Sequence, residues 1–440
     1  MMELLFISLL SIPFAWLCLL GFSFFFRVTL HERFLSESGK WLSALMCILS
    51  ISLSALVIIN GSQVVKLDFP AWIDVGEYSF RLRFMVDLLG STYALLTSLL
   101  IGIIFRFSRN YLHKEEGYFR FIFLLVTLMF GLQLVSFSRS LDLLFAGWEL
   151  VGTTSVLLIG YFYNQVQPVR HSMKALVSYR FCDMGLLAAS AWAHHYLHST
   201  DFTEIPELLG HAQAGVWSLT FIGLFVIWAS LAKSGQLPFC SWLPAAMEGP
   251  TPSSAIFYGA LSIHLGPFLL LRFHDYFEHF PILLWVIGIV GGVSALYASA
   301  VGRTRSDAKT MLAYATISQV GLIWVEIALG FTKFALFHIV AHASLRTWQF
   351  LRSSSLIQDF FENPVVQQDE LINRNLSFEK YVPKELRKRI FIHALNGFHL
   401  DYFTQRILDL LSAPVRFYIR IEKGWMDWNN RLLKSILRKW

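Results

Sequence analysis

The chain has 440 residues, of which 55% are hydrophobic and 16% aromatic but only 15% charged, with a net charge of +6. An average soluble chain is about 25% charged, so this one lacks the polar residues to coat a water-facing surface. A soluble enzyme, a disordered chain and a coiled coil are excluded together. Its 40 Phe and 14 Trp suit a lipid-facing exterior with rings at the interfaces. The expected fold class is an all-α polytopic membrane protein.

The apolar run 4–26 is too long for the h-region of a signal peptide and follows Glu3 rather than a basic segment, so it reads as the first span. A helix needs about 20 apolar residues to cross a bilayer. Candidates lie at 3–26, 41–60, 86–106, 120–137, 141–163, 174–195, 216–244, 253–272, 282–301, 310–330 and 334–351, eleven in all. Segment 61–85 patterns poorly as a helix and is expected to form a small β-hairpin outside the bilayer. Three regions follow: 1–85 with two spans and the hairpin, a transmembrane core 86–351, and a tail 352–440.

Cys18, Cys47, Cys182 and Cys240 are widely spaced within apolar stretches, which suits buried small hydrophobes rather than a disulfide framework or a zinc site. Lysines and arginines set the expected orientation. Loops joining odd to even spans carry 12 of them, the opposite loops only 6, which puts the N-terminus outside and the tail in the cytoplasm. The tail holds 15 Lys/Arg against 10 Asp/Glu and alternates apolar and basic faces at helical spacing. It is expected to lie on the lipid bilayer or to dock a partner. Nucleic acid is not an expected partner, because these charges sit beside a membrane with no recognition fold.

Ionisable side chains inside spans are costly and usually functional. Span 5 carries Glu149, which must be paired or protonated there. Span 6 carries Arg180 and Asp183, three apart on one face and able to form a static ion pair. Span 7 reads LAKSGQLPFCSWLPAAMEGPTP, and Pro238 must break the helix just after Lys233. A broken helix at membrane depth is tolerated only where it lines a cavity or is buried in protein, and transporters build ion sites there. Burial disfavours the charged amine, so Lys233 reads as a proton relay, with a static salt bridge as the alternative.

Span 8 contains Tyr258 and His264, and span 10 contains Tyr314, Ser318, Gln319 and Glu326. Span 11 stacks His338, His342 and Arg346 at i, i+4 and i+8 on one face. Two histidines so spaced can bind zinc, but the HExxH glutamate and a third ligand are missing. A hydrated proton path through titrating side chains is the better reading, and a structural polar seam the alternative. No metal site, cofactor or catalytic residue is expected on this chain. His194, His195 and His198, closing span 6, read as interfacial polar residues.

The segments GWELVGTTSVLLIGYF, MKALVSYRFCD, LAKSGQLPFCSWLPAAMEGPTPSSA, SDAKTMLAYATISQVG and FHIVAHASLRTWQFL resemble the proton-translocating antiporter-like superfamily, over about residues 80–355. That superfamily includes membrane subunits of respiratory complex I and of the Mrp antiporters. The resemblance implies an antiporter-like fold with a broken helix 7. It also implies that Glu149 biases the protonation of Lys233, that Arg180 and Asp183 form a charged pair nearby, and that protons continue through His338 and His342.

Three departures accompany it. Tyr258 stands where the superfamily commonly has a histidine, and a phenol is a poor relay at neutral pH. Arg346 stands where a lysine is often found, and a guanidinium keeps its proton, so it reads as a fixed charge or gate. The second broken helix of longer relatives is not expected, because the chain passes from span 11 into its tail. The truncation and the tail are similar to the DabB family, membrane subunits of inorganic carbon transporters. That resemblance implies a DabA-like large peripheral zinc protein as partner, carrying the CO2 chemistry, with H+ or Na+ moving through the membrane subunit. A complex I-type or Mrp-type subunit and a non-conducting scaffold remain as rivals.

Overall fold

The computed structural model describes residues 1–28, 30–75, 78–211, 215–353, 383–400, 402, 406, 409–410, 413–414 and 416–426. Two apolar helices, α1 (Met2–Phe25) and α2 (Glu32–Ile59), precede an antiparallel hairpin of β1 (Val65–Val75) and β2 (Tyr78–Val86), in which Val65 faces Val86 and Val75 faces Tyr78. The hairpin expected at 61–85 is thus present. Then follow α3 (Leu88–Tyr111), α4 (Tyr118–Phe137), α5 (Leu141–Ile159), α6 (Val166–Leu197) and α7 (Val216–Lys233). The series closes with α8 (Thr251–Arg272), α9 (Pro281–Gly302), α10 (Ala308–Ala328), α11 (Thr332–Ser353) and a tail helix α12 (Lys384–Leu395).

Helix starts are marked locally. The Asp87 carboxylate accepts the Gly90 N–H at 2.8 Å, Ser140 Oγ the Leu143 N–H at 3.3 Å, and the Asp307 carboxylate the Thr310 N–H at 2.8 Å. Pro281 occupies the first turn of α9, where its missing N–H costs nothing.

Each expected span falls on one of α1 to α11. Among the described residues nine helices are long and apolar enough to cross a membrane, and the chain is a multi-pass membrane protein. The other two, α6 with 32 residues and α11 with 22, are long enough but interrupted by polar residues. These include Arg180 and Asp183 on the first, and His338, His342 and Arg346 on the second. Boundaries differ most in three places, one of them the start of α6 at Val166 rather than 174. Helix α2 begins at Glu32 rather than 41, and the span expected at 216–244 stops as a helix at Lys233.

Helix α8 is buried throughout and irregular, passing through a π-helical stretch (Ser254–Ala260) and a 3-10 turn (Ser262–His264) before its last two turns. Helices α9 and α10 approach backbone to backbone. A Cβ on Gly291 would lie 2.5 Å from the Gly321 carbonyl oxygen, and one on Gly321 equally close to that of Gly291. The opposite side of α9 (Trp285, Ile289, Val293, Leu296) is exposed and apolar, as a lipid-facing surface must be.

The connections gather on two faces. On one, Arg139 is bonded to Asp201 and Asp68, both at 2.6 Å, and Arg83 reaches Glu204 at 3.4 Å. These contacts tie the hairpin to the 138–140 and 198–204 connections. On the other, Arg109 pairs with Glu37 at 2.6 Å and His113 with Glu32 at 2.9 Å. The tail turn docks at the end of α9, with the Tyr297 hydroxyl 3.4 Å from the Gly397 carbonyl and its ring against Phe398.

Candidate functional site: a buried lysine and a histidine cluster

The break after α7 is built so that its freed backbone groups find partners. Gly235 takes a left-handed φ of +59°, which turns the chain. The Leu237 N–H donates to Ser294 Oγ at 3.0 Å, and the Gln236 amide donates to the Ser234 and Ile317 carbonyls at 3.0 and 3.4 Å. Trp242, on the short helical turn beyond, donates its indole N–H to the Ala232 carbonyl at 3.0 Å. The irregular backbone is therefore enclosed in protein.

At the end of α7, Lys233 is fully buried. Its Nζ donates to the Trp148 carbonyl at 3.2 Å and lies 4.5 Å from the centroid of the Tyr179 ring and 5.3 Å from that of Trp148. A carbonyl and two ring faces hold the ammonium without neutralising it. Gly152 makes room, because a Cβ there would collide with Lys233 Nζ.

The charged residues of α5 and α6 form one network. Arg180 is paired with Glu149 through Nη1 and lies 3.3 Å from Asp183 Oδ2 through Nη2. Asp183 accepts the Trp148 indole N–H at 2.6 Å. Trp148 thus links both halves, its carbonyl to Lys233 and its indole to Asp183. The Arg180 side chain is 42% exposed, in a lateral recess of about 440 Å³ bordered by Glu149, Asp183, Phe181, Met184 and Leu187. Among the described residues, Glu149 Oε1 and Asp183 Oδ2 are buried without a hydrogen-bond partner.

The second group joins α8, α10 and α11. His264 Nε2 lies 3.0 Å from His342 Nδ1, and Arg346 Nε donates to His342 Nε2 at 3.1 Å. His338 Nδ1 lies 2.8 Å from Glu326 Oε1 and its Nε2 3.2 Å from Gln319 Oε1. Glu326 and Gln319 stood out in the sequence only as polar residues of span 10. Their pairing with His338 joins residues 12 and 19 positions apart on different helices.

Between the groups runs a row of rings, with centroids 4.8 Å apart from Tyr179 to Trp242 and 5.7 Å from Trp242 to Tyr258. Tyr258 donates to the Ser155 carbonyl at 2.9 Å, so it ties α8 to α5. The Tyr179 hydroxyl faces those of Ser155 and Ser262, and the Ser234 hydroxyl, buried in the same region, has no hydrogen-bond partner among the described residues. Buried polar atoms of this kind are usually satisfied by water.

All nine expected site residues therefore fall into these two groups or the row between them. Trp148, Tyr179 and Gly152 were missed, because a carbonyl, a ring face and a missing Cβ carry no sequence signature of their own.

Residues 138–376 match the family model described as "NADH:quinone oxidoreductase/Mrp antiporter, TM". The chain belongs to this antiporter-like family. Residues 72–122 also match "NADH-Ubiquinone oxidoreductase (complex I), chain 5 N-terminus". Among curated relatives, NADH-quinone oxidoreductase subunit L of Escherichia coli is 32% identical over 331 residues, covering 72% of this chain and 54% of its own. The subunit L of Rickettsia bellii is 29% identical over 364 residues, covering 78% and 56%. The chain thus spans little more than half the length of these relatives. A solved structure of the Mrp complex from Dietzia sp. DQ12-45-1b shares the antiporter-like fold with a TM-score of 0.65 at 22% identity, over 79% of this chain and 37% of that one.

Proposed function

We propose that this chain is the cation-conducting, and specifically proton-conducting, membrane subunit of an energy-coupled inorganic carbon pump. In this reading it powers a DabA-like zinc-containing partner that converts CO2 to bicarbonate. The observation that carries conduction is Lys233, fully buried at a helix break and held by a carbonyl and ring faces, beside a carboxylate network that reaches a lateral recess. Protonation of Glu149 from the recess releases Arg180, whose positive charge then acts on Asp183 and Lys233 alone and pushes the lysine proton onward. The buried Ser234 hydroxyl supplies a site for the water that carries it towards His342.

The carbon-pump branch is supported by the basic segment 352–440. In this reading 86–351 conducts and 352–440 holds the partner. The protein lies in a bacterial plasma membrane with its N-terminus outside. A second reading, a complex I-type or Mrp-type subunit, is favoured by the similarity to subunit L.

Purification from native membranes in mild detergent, followed by mass spectrometry, tests both. A stoichiometric peripheral protein with bound zinc is expected. Flavin and iron–sulfur subunits instead would establish the second reading and overturn the first. Within the intact complex, Lys233→Ala and Glu149→Ala are each expected to abolish carbon accumulation while leaving assembly unchanged. Full uptake by both variants would remove the relay role.

A further inference from the structure

Both ring nitrogens of His342 are engaged, and this fixes where its proton sits. A guanidinium N–H only donates. Arg346 Nε lies 3.1 Å from His342 Nε2, so that nitrogen is the bare, accepting one and the ring proton is on Nδ1. The Nδ1–H then donates to His264 Nε2 at 3.0 Å, which must be bare in turn. The His264 proton is left on Nδ1, where it donates to the Ala260 carbonyl. One arginine contact sets the tautomers of two histidines and keeps both neutral. Arg346 is itself held in place, with Nη1 donating to Gln349 Oε1 at 2.7 Å.

The neighbouring station differs. His338 Nδ1 and Glu326 Oε1 are 2.8 Å apart, so ring and carboxylate share a proton between them. The His338 and His342 rings have centroids 6.1 Å apart, within reach of transfer through one water. A proton-bearing couple thus stands beside a pair that cannot accept while Arg346 stays where it is. The charged and titratable groups around His342 are His338 and Arg346 on its own helix, Glu326 on α10 and His264 on α8.

We propose that Glu326 and His338 form the proton-holding station of the pathway, and that Arg346 gates its discharge by locking His342 as the Nδ1–H tautomer. This rests on the proton-conducting reading. When Arg346 Nε withdraws, one proton leaves the Glu326–His338 couple for His342 Nε2. His342 passes its Nδ1 proton to His264 Nε2, which leaves His342 as the neutral Nε2–H tautomer and His264 as the imidazolium, its Nδ1–H still on the Ala260 carbonyl. The couple is left one proton poorer, and Arg346 keeps its proton throughout. A lysine at this position would be a relay, whereas an arginine is a latch.

The test is solid-state 15N spectroscopy of the full-length protein with its co-purified partners, histidine-labelled and reconstituted in lipid, with His342→Asn identifying the His342 resonances. The wild type is expected to show His342 as the neutral Nδ1–H tautomer. Arg346→Met is expected to admit the Nε2–H form or the imidazolium and to raise passive proton flux into the vesicles several-fold. Arg346→Lys should restore the Nδ1–H tautomer, because an ammonium also donates to Nε2, but leave the flux raised, because the amine can pass its own proton on. A merely structural role does not explain that split. An Nε2–H or imidazolium His342 in the wild type overturns the latch, and this holds even where Arg346→Met does not assemble. Unchanged tautomer and flux in an assembled Arg346→Met also overturn it. Failure of proton conduction as such shows elsewhere, as a flux indifferent to Lys233→Ala, and leaves the spectra as expected.

Discussion

The Lys233 ammonium is poised because its nearest partners are neutral. A carbonyl and two ring faces stabilise its charge without fixing it in an ion pair, while the carboxylates of Glu149 and Asp183 are taken up by Arg180 and Trp148. Two substitutions separate space from charge. Gly152→Ala places a methyl group against Nζ. It should cost about 1–3 kcal/mol as an overpacked core site and reduce proton flux in reconstituted vesicles as severely as loss of the lysine. Normal flux would mean that the amine can relocate freely. Trp148→Phe keeps the carbonyl for Lys233 but leaves Asp183 Oδ1 without its donor. Leaving a buried acceptor unmade costs about 1–3 kcal/mol, so thermal unfolding in detergent should fall while some flux survives.

At the scale of elements, the helix break shows what could be read in advance. Pro238 announced it, because a proline removes an N–H from the helical ladder and crowds the preceding turn, and Lys233 lay just before it in an apolar run. What supports the break came from elsewhere: Ser294 on α9 and the Ile317 carbonyl on α10. No local pattern pairs those residues with Gln236 or Leu237. The irregular path of α8 was hidden for a similar reason, since its apolar residues fit a regular helix equally well. Gly235 isolates the backbone contribution. Its φ is +59° and a Cβ has ordinary contacts, the nearest at 3.6 Å. Gly235→Ala should therefore cost only left-handed strain, about 1–2 kcal/mol, and Gly235→Asn less. A larger loss for alanine in thermal unfolding would point to packing instead.

Across the whole molecule, composition and the spacing of apolar runs made the eleven helices legible, and charges inside spans made the site residues legible. The assembly of those residues was not, because His264 meets His342, and Glu326 meets His338, only when α8, α10 and α11 pack together. Orientation depends on the molecule as a whole, and its two faces make it measurable. His279 is exposed on the connection between α8 and α9, and Lys114 on the one between α3 and α4. Met2 contacts Asn60, which puts the N-terminus at the hairpin end with the less basic loops. Chains carrying His279→Cys or Lys114→Cys, with Cys18 and Cys47 replaced by serine, should differ towards a membrane-impermeant maleimide on intact cells. His279→Cys should react at once, and Lys114→Cys only after the membrane is opened. The tail turn at Gly397 docks beside Tyr297, at the Lys114 end of the bundle, so the same experiment locates the basic tail. The reverse labelling would put that tail outside the cell, away from the anionic inner leaflet and from any cytoplasmic partner, and the docking role assigned to 352–440 would fail with it.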